Sequence, residues 1–169
     1  MTIEISKRTR QYIGLIAAVA SYYVIHEGAH LLYALAMGVF KEIRFMGLGM
    51  QIDIYTEQLT DAQLGIFCLL GAVATFVVGY LLVLGSRWIC GRKSKALRAV
   101  LYYVTITMLL LDPIYLGVLY SFFGGGDMNG ISLLVPELAA RVAFLILLAV
   151  NGLVFWKIIL PRYAKSFQE

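Results

Sequence analysis

Residues 12–40 read YIGLIAAVASYYVIHEGAHLLYALAMGVF. Apart from the polar pentad at its middle, this stretch is apolar for longer than the roughly 20 residues that cross the ~30 Å hydrocarbon core of a bilayer. The same test applied outward along the chain finds three more such runs. With them, the sequence predicts helices over about 11–40, 62–85, 99–123 and 138–160. Composition agrees: the 169 residues are 61% hydrophobic and the mean hydropathy is +0.83, more apolar surface than a water-soluble domain of this size buries. The expected fold is therefore an all-α multi-pass membrane protein of about four transmembrane helices, forming one domain over residues 1–169.

Basic residues set the expected orientation, because loops rich in Lys and Arg stay in the cytoplasm. Lys7, Arg8 and Arg10 precede the first helix. Arg87, Arg92, Lys93, Lys95 and Arg98 join the second to the third, and Lys157, Arg162 and Lys165 close the chain. An even helix count puts these groups on one face, so both termini are expected in the cytoplasm. The pI near 9.1 expresses this bias and is not read as nucleic-acid affinity. A cleaved signal peptide ending at Ala18-Val19-Ala20 is disfavoured, since the cut would halve the first helix. Cys68 and Cys90 are too few and too poorly placed for a disulfide framework and read as packing residues.

Between the first two helices, Ile43 to Tyr55 alternates in its second half around two central glycines, which reads as a β-hairpin. Its two readings are a surface loop and a strand edge that pairs with an extended peptide. Gly71, Thr75 and Gly79 form a small-residue face on the second helix that admits a close helix neighbour. Residues 124–136, GGGDMNGISLLVP, are too short and glycine-rich to span, and are expected as a re-entrant segment buried in protein or lining a wet cavity. Asn151, inside the fourth helix, is expected to hydrogen-bond a neighbouring helix.

The pentad is His26-Glu27-Gly28-Ala29-His30, an HExxH pattern holding the chain's only two histidines. On a helix, positions i and i+4 share a face, so both imidazoles reach one ion while the intervening glutamate stands beside its open position. That is the arrangement in which zinc activates a water and a carboxylate accepts its proton. Glu27 is the expected general base, and its cost at the centre of a spanning helix favours a functional cavity over a packing role. A catalytic zinc usually takes a third protein ligand. The carboxylates away from the surface segments are Asp112, in LLLDP, and Asp127, in GGGDMNG. Helix rise places Asp112 at the height of His26; the alternative reading of Asp112 is a protonated group bonded to a neighbouring helix.

The chain resembles the site-2 protease family of intramembrane zinc metalloproteases. His26 to His30 carry the resemblance most specifically, and the order of HExxH helix, hairpin, small-residue helix and later aspartate-bearing segment extends it over nearly all of the chain. Gly126-Asp127-Met128-Asn129-Gly130-Ile131 is similar to the family's third-ligand segment, so the resemblance implies Asp127 as ligand, with Asp112 near the site. It also implies one Zn²⁺, a zinc-dependent endopeptidase activity, and membrane-spanning or membrane-associated peptides as substrates. A regulatory membrane partner is a separate expectation, because nothing in the sequence resembles a soluble substrate-reading domain. The charge count places the histidines beyond the bilayer midpoint toward the outside, whereas the family holds its zinc nearer the cytoplasmic side. The rival expectation is a non-enzymatic metal-binding membrane protein, either a transporter or an inactive protease relative.

Overall fold

The computed structural model describes residues 6–47 and 49–168. Four long helices dominate it: α1 (Lys7–Met37), α2 (Asp61–Cys90), α3 (Lys95–Phe123) and α5 (Glu137–Gln168), all long and apolar enough to cross a membrane. Strands β1 (Phe40–Met46) and β2 (Gly49–Ile54) form an antiparallel hairpin between α1 and α2. A short helix, α4 (Gly126–Ile131), lies between α3 and α5.

Local chemistry explains where the helices start and stop. The side chains of Ser6, Thr60 and Ser94 each accept a backbone N–H of the first turn, at the heads of α1, α2 and α3, which satisfies a donor that the helix itself leaves free. At Thr60 the side chain of Gln63 reaches back to complete a capping box. Helix α1 ends at Gly38 in the left-handed conformation, φ 72°, where a side chain would be strained. It therefore stops three residues before the expected limit at 40, and Phe40 opens β1 instead. Helix α3 ends at Phe123, as expected; at the remaining boundaries the helices run longer than hydropathy alone marks, because polar turns add to the apolar runs. Helix α5 extends furthest, through the amphipathic segment Leu160–Gln168.

The hairpin turn falls at Gly47, φ 60°, within the predicted Ile43–Tyr55 stretch; Leu48 of that turn lies outside the described residues. Arg44 pairs with Asp53 across the strands, and Ile52 alone among the residues of β2 is buried. Ile52 thus pins the hairpin to the helices beneath it.

Helix α1 packs against both α2 and α3, which also pack against each other; α4 lies on α2, and α5 closes against α3. The small face of α2 does what its spacing predicts at Gly79, where a Cβ would stand 2.9 Å from Leu109 of α3. Outward-facing positions are apolar, among them Leu32, Leu84, Trp88, Leu138 and Trp156, a surface suited to lipid contact.

Helix α3 carries Pro113, which has no N–H to give to the carbonyl of Leu109 four residues back. The buried side chain of Asn151, on α5, donates its Nδ2–H to that same carbonyl at 2.6 Å, and its Oδ1 accepts the Tyr80 hydroxyl at 2.5 Å. An interhelical hydrogen bond thereby replaces the one that proline removes. The helix then widens into a π-turn over Tyr115–Leu119, and Gly124 and Gly125 turn the chain at φ 67° and 153°. That reversal, sealed by the Tyr115 hydroxyl donating to the Gly124 carbonyl, brings α4 back into the bundle.

Candidate metal centre

His26 and His30 stand one above the other on the inner face of α1, 5% and 3% exposed, with ring centroids 5.0 Å apart. The two rings differ in what meets their Nδ1 atoms. The Nδ1 of His30 faces the backbone carbonyl of Phe67 on α2 at 2.8 Å, a contact that requires the proton on Nδ1 and leaves Nε2 with a free lone pair. The Nδ1 of His26 lies 3.2 Å from Asp112 Oδ1, close but off the line of a formed hydrogen bond. Both Nε2 atoms point to a common space, the geometry required of metal-binding imidazoles.

Asp127, at the start of α4, enters that space. Its carboxylate oxygens lie 3.1 Å from His26 Nε2 and 3.7 Å from His30 Nε2. One donor atom from each of the three residues falls within 4.8 Å of the other two, making a group that could hold a metal ion. Donors around a tetrahedral zinc at ~2.0–2.1 Å stand about 3.3 Å apart, and the two carboxylate–imidazole separations lie on either side of that value. Among the described residues no second group of this kind occurs.

The two aspartates therefore meet opposite edges of the same imidazole. Asp112 is 1% exposed and has its own partners: the Tyr22 hydroxyl donates to Oδ1 at 2.6 Å and the Thr75 hydroxyl donates to Oδ2. It shares the height of His26, as helix rise predicts, but faces Nδ1, whereas Asp127 faces both Nε2 atoms.

Gly71 of α2 closes the fourth side. A Cβ built there would lie 2.5 Å from His26 Nε2 and 2.6 Å from His30 Nε2, so only a glycine leaves the histidines' inner edges clear. Its sequence signal, the four-residue spacing with Thr75 and Gly79, was read for packing alone; two of its three members serve the centre. Tyr22 was missed although it stands at i−4 from His26, on the same helical face, with its ring stacked on the imidazole at 5.1 Å.

Glu27 faces a cavity of about 840 Å³ that opens beside the histidines. Strand β2 forms one wall, and Cys68 and Asn129 contribute from α2 and α4. Glu27 Oε2 accepts the backbone N–H of Ile52 at 3.2 Å, tying the carboxylate to the hairpin. A carboxylate, three potential metal donors and a strand edge thus border one space large enough for a peptide segment. Comparison with protein-family models, with curated proteins and with solved structures returns no match. The site's geometry and the motif carry the functional argument.

Proposed function

We propose that the protein is an integral membrane zinc metalloprotease that hydrolyses peptide bonds of membrane-spanning or membrane-associated substrates. The observation that carries this reading is the convergence of His26 Nε2, His30 Nε2 and the Asp127 carboxylate beside Glu27, inside a bundle of four helices long and apolar enough to cross a membrane. The donor set suits zinc, which takes imidazole and carboxylate ligands and keeps one position open in catalytic sites. Fit is supported by the His30 ring, oriented by the Phe67 carbonyl, and by the missing side chain at Gly71.

In this reading His26, His30 and Asp127 are the ligands, and Asp112 is the outer carboxylate beside His26 Nδ1, 3.2 Å away. Zinc bound there would lower the pKa of a water to about 7 and polarise the scissile carbonyl. Glu27 accepts the water's proton and delivers it to the leaving amine as the C–N bond breaks. Strand β2 holds the substrate extended, which a helical peptide requires before its carbonyls can be attacked. Arg87 in the last turn of α2, Arg92 and Lys93 in the connection and Lys95 at the head of α3, with Lys157, Arg162 and Lys165 on α5, favour cytoplasmic termini.

The rival transporter reading calls for further ligand groups along a path, and only one such group occurs among the described residues. The direct test is cleavage of a synthetic membrane-spanning peptide in proteoliposomes, read by mass spectrometry. Wild type is expected to cut it, and Glu27→Gln to keep its zinc and lose the activity. A fully active Glu27→Gln protein would refute the mechanism.

A further inference from the structure

Strand β2 has one edge paired with β1 and, among the described residues, no strand on the other. In an antiparallel pair, successive residues turn their N–H and C=O groups alternately toward the partner and away from it. Tyr55 directs its N–H to the Val39 carbonyl at 2.9 Å, on the β1 side. Three positions earlier, Ile52 directs its N–H the opposite way, to Glu27 Oε2. Alternation then puts the backbone groups of Met50, Ile52 and Ile54 on the free edge, along the cavity that the histidines and Asp127 share.

The Ile52 amide has one proton. A peptide adding to the β2 edge needs that donor for one of its own carbonyls, and Glu27 already occupies it. We infer that the Ile52 N–H is a switch between two acceptors: it holds the Glu27 carboxylate while the cavity is empty, and hands it over when a substrate backbone carbonyl takes its place. This inference rests on the protease reading and adds two things to it, a named docking atom for the substrate chain and a link between docking and release of the general base. The arrangement keeps the base tied to the hairpin until an extended peptide lies beside it. Because Ile52 is also the buried residue of β2, the donor is held at a fixed place relative to α1.

The experiment is amide hydrogen exchange at Ile52 in the zinc-loaded, full-length protein in detergent. The probe is a membrane-spanning Leu/Ala peptide with a Gly-Pro break at its centre, its binding followed separately by fluorescence anisotropy. Exchange at Ile52 should be slow in wild type and about tenfold faster in Glu27→Ala, the worth of one hydrogen bond. Binding of the peptide to Glu27→Ala should restore protection, since the substrate carbonyl supplies the acceptor that the variant lacks. Equal exchange in the two proteins, or bound peptide without restored protection, overturns the inference.

Should Glu27→Ala fail to fold, Ile52→Pro removes the same donor without removing a bond to β1. The expected result is a KM raised about tenfold over that of Ile52→Ala, with kcat within about twofold, again the worth of one hydrogen bond to substrate. A fall in kcat at unchanged KM would instead overturn the inference. Failure of the protease reading is read elsewhere, as no cleavage of the same peptide by wild type. Restored protection without cleavage would leave the docking edge standing and remove the catalytic claim.

Discussion

Replacing Gly71 by alanine adds one carbon where the structure has least room for it. The new Cβ would stand 2.5 Å from His26 Nε2 and 2.6 Å from both His26 Cε1 and His30 Nε2. Ordinary carbon contacts begin near 3.5 Å, so α1 and α2 must separate by about 1 Å or both imidazoles must turn. Turning is opposed at His30 by its bond to the Phe67 carbonyl. Overpacking of this kind costs about 1–3 kcal/mol, partly offset because alanine is favoured over glycine in a helix by about 1 kcal/mol. The metal-free fold should therefore lose at most about 2 kcal/mol. Zinc binding should suffer much more, because the intrusion falls on two of its three donors, and disturbing even the groups that orient metal ligands costs about 10- to 100-fold in affinity. Competitive titration against a chromogenic chelator measures the affinity, and circular dichroism during heating measures the fold. Gly79→Ala, which meets Leu109 and not the histidines, serves as the packing control and should leave zinc affinity within about threefold of wild type. Wild-type zinc affinity in a folded Gly71→Ala protein would refute the placement of the ion between the two Nε2 atoms.

Asp112→Asn should weaken zinc binding about 10- to 100-fold without abolishing it, as loss of an outer carboxylate partner does elsewhere; the chelator titration reads it, and unchanged affinity would remove the positioning role. Tyr22→Phe deletes one of the hydroxyls that hold Asp112 and should shift the same titration in the same direction by a smaller factor, about tenfold or less. Asn151→Leu strands the Leu109 carbonyl freed by Pro113, so thermal unfolding should show a loss of about 1–3 kcal/mol while zinc stoichiometry stays the same. Removing zinc with a strong chelator should lower the unfolding temperature, because a ligand that binds only the folded state stabilises it, and added zinc should restore it.

The four long helices and the paired histidines were legible because both signals are local. An apolar run and an i, i+4 spacing need no knowledge of the rest of the fold. The hairpin was legible for the same reason, from alternation around Gly47 and Gly49. The roles of the two aspartates were not, because they depend on which edge of one imidazole each carboxylate meets across the bundle. Residues 26 and 127 are 101 positions apart, and the approach is made by a glycine turn that follows a π-widened helix. Gly71 stood in plain view as one of a small-residue triad, yet only the positions of the histidine rings distinguish a packing glycine from one that clears a metal site. The contact of Ile52 with Glu27 uses a backbone N–H, to which side-chain patterns are blind. Pro113 and Asn151 were each visible as unusual residues in apolar helices; that one compensates for the other follows only from the α3–α5 packing.

Zinc content bears most directly on the central claim. Elemental analysis of detergent-purified protein, offered zinc and freed of excess, should give about one ion per chain for wild type. It should give about one for Asp112→Ala under saturating zinc, and none that survives dialysis for Asp127→Ala. Folded wild-type protein that binds no zinc would contradict the account outright, and loss of zinc from Asp112→Ala with retention in Asp127→Ala would exchange the roles assigned to the two aspartates.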